Sequence, residues 1–284
     1  MQFNLIGAGR LGKNLAVVLS ENSEAKLKTV CNSSLESAAQ AVSLIGCGKA
    51  VATLKELPAA DLTIITTPDD RIALVVNDLL QYKLINPGSI VIHCSGVLSS
   101  ATLAPLRELS CAVASFHPLK AFPTGMVDKN ALIDCHCVLE GDANALAILS
   151  DLFKSSGAHL MTINADKKAG YHAAAVIASN YLVTLAATAI ELLNNAGIEE
   201  IAAHKMITQL MQSSLTNVQK STKAMHALTG PLARGDMETI NYHLQALKGT
   251  EMLPFYTAAA LATLPLTGLT ADKKESITEL LLSF

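Results

Sequence analysis

The strongest constraint on this chain is a glycine pattern at its start. Phe3, Leu5 and Ile6 read as the end of a buried parallel strand, Gly7, Gly9 and Gly12 follow as G-x-G-x-x-G, and Leu11 to Leu19 carries apolar residues at helical spacing. Strand, glycine turn and helix in that order form a dinucleotide-binding arrangement. The first glycine permits the tight turn, and the second lets the backbone approach a pyrophosphate. The third removes a Cβ that would hold helix and strand apart. The helix then offers unpaired N–H groups and a positive dipole end to phosphates. Gly7, Ala8, Gly9, Arg10, Leu11 and Gly12 are the expected cofactor loop.

The pattern continues as alternating strands and helices. Strands are expected at Leu27–Cys31, Ala50–Ala52, Asp61–Thr66, Ser89–Cys94, Ala112–Phe116, Cys135–Leu139 and His159–Ile163, with helices at Leu35–Leu44, Ile72–Leu80 and Ala143–Ser155. This is an α/β chain with a doubly wound, mostly parallel sheet. From Asn164 onward only helical periodicity is found, at Ala165–Ala196, Ile198–Leu215, Leu215–Leu228, Asp236–Leu247, Glu251–Leu264 and Ala271–Leu282. Residues 1–164 are therefore expected to form the cofactor domain and 165–284 a second, all-α domain for substrate and dimerisation.

Composition narrows the functions. The net charge is −3 and no Lys/Arg cluster exceeds a pair, which argues against a nucleic-acid partner. The six cysteines, from Cys31 to Cys137, mostly lie in apolar runs, and Cys135-x-Cys137 lacks a second ligand pair, so no metal site is expected. With no secretory pattern at the N-terminus, reduced cytoplasmic thiols are expected. Ala173–Leu193 is long enough to ask about a membrane span. Its Asn180, its Thr and Ser residues and its lack of basic flanks favour a buried helix in a helical domain.

In an open parallel sheet, ligands bind at the carboxyl ends of strands, and the unusual residues of this chain fall there. The second strand ends in Asn32-Ser33-Ser34, where an NAD site needs a carboxylate for the ribose hydroxyls. Hydroxyls and an amide can donate to a 2′-phosphate and Arg10 can add charge, so NADP is predicted over NAD. Ser33 and Ser34 also suit the cap of the next helix. Thr67 and Pro68 end another strand beside the cofactor. At Ser95-Gly96 the glycine lets substrate close to the sheet and the hydroxyl can donate, although Ser-Gly also makes an ordinary turn. His117 precedes Pro118, is thereby biased to an extended conformation, and could relay a substrate proton.

Lys168 and His172 are i and i+4 on the long helix and share a face. An ammonium there could stabilise an oxyanion formed on hydride transfer. On a straight helix Asn180 lies about 18 Å farther along and about 120° around from Lys168, which suits a buried polar network better than one site. Arg234, in the loop Leu228–Asp236, could fork onto an anionic substrate group, with Asp236 as N-cap and His243 as a second polar group.

Together, Gly7-Ala8-Gly9-Arg10-Leu11-Gly12, His93-Cys94-Ser95-Gly96, Ser115-Phe116-His117-Pro118-Leu119, Lys168-x-x-Tyr171-His172 through Asn180, and Leu228–Asp236 resemble a two-domain family. It pairs a Rossmann-like NADP-binding domain with a helical domain of unknown function. More distantly the layout is similar to 6-phosphogluconate and 3-hydroxyisobutyrate dehydrogenases, which have a Ser-Gly strand end and a lysine with an asparagine four residues later. Ser95-Gly96 and Lys168 match, but His172 stands at the asparagine position. The Ser-x-His-Pro segment is similar to prephenate dehydrogenase, which implies a catalytic role for His117. The resemblance implies an NADP-linked oxidoreductase acting on a small polar hydroxy acid, keto acid or imine, dimeric through its helical domain. On this reading Lys168, His117, His172 and Ser95 are catalytic, and Ser95, Gly96, Asn180 and Arg234 bind substrate. A pyrroline-5-carboxylate-reductase-like imine reductase and an NADP-binding regulator without turnover are the alternatives.

Overall fold

The computed structural model describes residues 1–284, which divide into two compact units, Met1–Ser179 and Asn180–Phe284. The first unit is built on an eight-stranded sheet. Its strands are β1 (Gln2–Ile6), β2 (Lys26–Cys31), β3 (Lys49–Val51), β4 (Leu62–Ile65), β5 (Ile90–His93), β6 (Ala112–Pro118), β7 (His136–Gly141) and β8 (His159–Thr162). They lie in the order β3-β2-β1-β4-β5-β6-β7-β8. The first six are parallel, β7 runs antiparallel to β6, and β8 is parallel to β7. Helices α1 (Arg10–Asn22), α2 (Leu35–Ile45), α3 (Asp69–Gln81) and α4 (Ala143–Phe153) cover the sheet.

The central strands are apolar on both faces because both faces are covered. One core joins Phe3, Leu5, Ile64, Ile92 and Phe116; the other joins Ile6, Ile65, Ile72, Val91 and Val113 on the opposite side. A tight helical segment, Ser100–Leu109, follows β5 and contains Pro105; it was not expected from the sequence, since its apolar positions keep no α-helical period. The other strand and helix limits differ from expectation by a few residues.

Helix α5 runs unbroken from Lys168 to Asn195, and the division between the units falls inside it rather than before it. The second unit continues with α6 (Glu200–Lys220), the short α7 (Pro231–Arg234), α8 (Met237–Leu247), α9 (Met252–Thr263) and α10 (Ala271–Leu282). Its core is small and comes from Ile240 and Leu244 of α8, Ala260 and Leu264 near the end of α9, and Ile277 and Leu281 of α10. The helix expected over Leu215–Leu228 does not form: α6 ends at Lys220, and only one tight turn, Ala224–Ala227, follows. Ser221 turns its hydroxyl back onto the carbonyl of Asn217 (2.8 Å), which closes the helix, as side-chain hydroxyls do when they compete for backbone partners.

The expectation that Ala173–Leu193 is buried is corrected. The segment Ala165–Asn195 is long and apolar enough to cross a membrane by length and composition, with mean hydropathy 1.7, yet the only buried residue of α5 is Lys168. Tyr181, Leu182, Val183 and Leu185 stand exposed, as do Ile201 and Leu210 on α6. The physical reason is that the helices α8 to α10 complete their core among themselves and leave these faces without a cover.

Candidate active site

The glycine loop takes the conformation its residues were expected to impose. Gly7 has φ +89°, and a Cβ on it would lie 2.8 Å from the amide nitrogen of Thr67. A Cβ on Gly12 would run into the Thr66 hydroxyl and lie 2.9 Å from the Gly7 carbonyl, so α1 can approach the sheet only with glycine there. Gly9 faces open space, caps α1 without a side chain, and precedes the first-turn N–H groups that no helical carbonyl reaches.

Beside the loop is a cleft of about 430 Å³, lined on its glycine side by Gly7, Ala8, Gly9, Thr67 and Pro68 and at its far end by Asn32 and Ser33. Thr67 keeps its buried hydroxyl without a partner. An open glycine, unpaired helix N–H groups and a partnerless hydroxyl suit the phosphates of a dinucleotide. The end of β2 divides its tasks. Asn32 accepts the Ala8 N–H (2.6 Å) and so ties the loop to the neighbouring strand, whereas Ser34 caps α2 by accepting the Ser37 N–H (3.2 Å). Neither Ser34 nor Arg10 lines the cleft, and Leu11 packs into the sheet core. These three and Gly12 were expected at the cofactor. Ser34 is taken up by the cap and Leu11 by the core, Gly12 serves the close approach of α1, and Arg10 stands exposed outside the lining.

A second group forms at neighbouring strand ends. Val113, Ser115 and His117 alternate onto one face of β6, and the register sets Ser115 beside His93 of β5 and Glu140 of β7. The first turns of α5 lie over this row, with Lys168, Tyr171 and His172 on one side of the helix. Lys168, 1% exposed, donates to the Ser95 carbonyl (2.9 Å) and to the Ser115 hydroxyl (2.7 Å). Glu140 in turn accepts from the Ser115 hydroxyl (3.4 Å) and from both the amide and the hydroxyl of Ser100 (2.7 Å each). Burial pushes the pKa of Lys168 down, and Glu140 partly opposes that. Lys168 therefore does not offer its ammonium to open space. Ser95 is also engaged: its hydroxyl accepts from the Val97 and Leu98 N–H groups (3.2 and 2.9 Å) and shapes the turn.

His117 is differently placed. Its Nδ1 lies 2.8 Å from the Tyr171 hydroxyl, and its ring meets that of His172 edge to face at 5.8 Å. Gly96 sits between the two imidazoles. A Cβ there would lie 2.9 Å from His117 Nε2 and would clash with His172 Nδ1, a buried ring nitrogen without a partner. Burial, with the charge of Lys168 second, pulls the pKa of His117 down to about 4. Burial raises that of Tyr171 to about 12 and keeps the phenol protonated. The arrangement is a neutral, oriented imidazole with a hydroxyl partner, facing a backbone position free of any side chain.

Asn180 and Arg234 belong to the second unit and are exposed. Asn180 makes no buried polar network, because its side of α5 is uncovered. Asp236 does cap α8, accepting the Thr239 N–H (3.1 Å), and His243 Nδ1 lies 2.9 Å from the Tyr256 hydroxyl. No group of side chains suited to a metal ion occurs. Glu140, Ser115 and Tyr171 were not singled out as site residues. The signals were faint: a lone carboxylate ending an apolar strand, a hydroxyl inside another, and a phenol three residues after Lys168.

Residues 1–118 match the Rossmann-like domain family, and residues 135–263 match Domain of unknown function DUF2520. The chain thus joins a Rossmann-like domain to a DUF2520 domain, the two-domain layout expected from its motifs. No curated protein matches it. Among solved structures it is similar to a Bacteroides fragilis protein provisionally described as an NADP oxidoreductase, with TM-score 0.76, 21% identity, and coverage of 93% of this chain and 98% of that one. A Thermotoga maritima protein gives TM-score 0.68 and 26% identity over 96% and 98% of the two chains. The pyrroline-5-carboxylate reductase of Streptococcus pyogenes gives 0.60 and 18% over 100% and 97%.

Proposed function

We propose that this chain, a Rossmann-like domain joined to a helical domain of unknown function, is an NADP-dependent oxidoreductase. It transfers hydride between NADP(H) and a small polar hydroxy acid, keto acid or imine. The observation that carries the proposal is the pair of imidazoles flanking Gly96, two strands along the sheet edge from the glycine loop and its cleft. The strand ends of β1, β4, β5 and β6 span about 14 Å at ordinary strand spacing, so loop and imidazoles share one edge. When bound, the nicotinamide would supply or take the hydride. Gly7, Gly9 and Thr67 would hold the phosphates, with Asn32 keeping the loop in place.

His117 supports the proton half of that chemistry. Neutral at physiological pH, it can accept a hydroxyl proton at Nε2 while its Nδ1–H donates to the Tyr171 oxygen. In the reductive direction the imidazolium so formed returns that proton from Nε2 to the substrate, with Nδ1–H still donated to the Tyr171 oxygen. Lys168 acts behind this layer. Its ammonium fixes the Ser95 carbonyl, and so the Gly96 turn, and its charge adds to the larger effect of burial in keeping His117 neutral. We assign it a positioning role.

The test is an NADPH-oxidation screen over keto acids, aldehydes and cyclic imines, with His117→Asn alongside. Turnover of one class, reduced at least about a hundredfold in the variant, is expected. NADPH binding without turnover of any class would instead support a regulator, a reading favoured by the engagement of both Lys168 and Ser95 within the fold. Turnover confined to cyclic imines would align the chain with the chemistry named for its Streptococcus pyogenes neighbour.

We also propose a homodimer through the helical domain. A second copy would cover the apolar faces of α5 and α6, where Val183 is 69% and Ile201 77% exposed.

A further inference from the structure

One cation in the cleft has no partner within the protein. Arg71 lines the cleft and is exposed, and no carboxylate lies within ion-pair distance of it. It stands in the first turn of α3, and Arg71, Leu74 and Asp78 follow one another along one side of that helix as a wall of the cleft. Leu74 is 50% exposed, and Leu54 lines the same space, so the slot has apolar surface suited to a purine. Ser33 and Ser37, from the end of β2 and the start of α2, line it with two hydroxyls. The one carboxylate lining the cleft, Asp78, lies about 10 Å farther along the helix axis than Arg71.

We propose that Arg71 is the residue that selects the phosphorylated dinucleotide, by forking its guanidinium onto the 2′-phosphate of the adenosine ribose, with the Ser33 hydroxyl donating to a remaining oxygen. The inference rests on the assignment of the cleft to NADP(H). Three features lead to it together: a cation without a counter-ion, hydroxyls where a carboxylate would be needed to favour the unphosphorylated ribose, and an apolar slot for the base. It moves the charge expected at Arg10 to a residue in another βα turn, because Arg10 does not line the cleft.

Isothermal titration of the intact protein with adenosine 2′,5′-bisphosphate and with 5′-ADP tests it, using wild type, Arg71→Ala and Arg71→Lys. Arg71→Ala should weaken the bisphosphate about 10- to 100-fold and leave 5′-ADP within about twofold, with Arg71→Lys between, since lysine keeps the charge but not the fork. Equal weakening of both ligands would mean that Arg71 stacks on the base, and unchanged bisphosphate affinity would mean that it does nothing there; either overturns the proposal. Wild type that binds neither ligand overturns the assignment of the cleft itself and the role of Arg71 with it. Arg71 is exposed, so thermal unfolding of the variants should match wild type and separate lost binding from lost folding.

Discussion

The ammonium of Lys168 lies 2.7 Å from the hydroxyl of Ser115, which passes the contact on to Glu140. A lysine with the right spacing for catalysis is thus part of a buried charge network joining α5, β6 and β7. Removing one member of such a network leaves the other charge unpaired. Lys168→Met should lower unfolding stability by about 3–5 kcal/mol in urea titrations. The double variant Lys168→Met/Glu140→Gln should lose less than the sum of the two single changes. Strict additivity would show that the two charges do not communicate through Ser115.

The pH dependence follows from His117. Its folded pKa of about 4 lies below the ordinary 6.5, so the unfolded chain binds the proton more readily. The associated stability is fully present above about pH 6.5 and is lost as pH falls towards 4, by at most about 3 kcal/mol. His93, also pulled down by burial, adds in the same direction. Denaturant titrations from pH 7.5 to 4.5 should show this slope, shallower in His117→Asn. If His117 takes the substrate proton, kcat/KM for NADP-linked oxidation should stay level down to about pH 5 and fall only near 4.

Gly96→Ala places a methyl group against both imidazoles. His117 is held by Tyr171 and cannot simply swing aside. NADPH affinity should be nearly unchanged while turnover falls at least about a hundredfold. Equal loss of binding and turnover would point to collapse of the sheet edge instead.

Gly12→Ala should act on the other half of the site. Its Cβ meets the Thr66 hydroxyl and the Gly7 backbone, and the backbone cannot yield cheaply. Destabilisation of about 1–3 kcal/mol, together with weakened nucleotide binding, is expected from calorimetry and titration.

For the second unit, light scattering should give about twice the chain mass of 29.8 kDa. Val183→Glu combined with Ile201→Glu should give monomers that remain folded, since both side chains are exposed in the single chain. A monomeric wild type would remove the dimer, and a requirement for detergent would point to lipid as the cover.

Much of the first unit was legible in the sequence because local rules govern it. A glycine with φ +89°, a proline after His117 and short β-branched runs between helical stretches constrain the backbone within a few residues, whatever lies elsewhere. The sequence by itself therefore determined the βαβ start, the dinucleotide loop, the order of strands and helices along the first unit, and the absence of a carboxylate at Asn32-Ser33-Ser34. Side-chain roles were less legible, because they depend on partners distant in the chain. Whether Lys168 faces substrate or Ser115 is set by the parallel pairing of β5 with β6 and the antiparallel pairing of β6 with β7. Whether Arg10 or Arg71 meets the cleft depends on which side of its helix each occupies once α1 and α3 have packed. The exposure of α5 was hidden for the same reason: hydropathy measures the tendency to leave water, and only tertiary structure decides whether the same chain provides the cover. Here α8, α9 and α10 satisfy one another, and the apolar faces of α5 and α6 remain exposed.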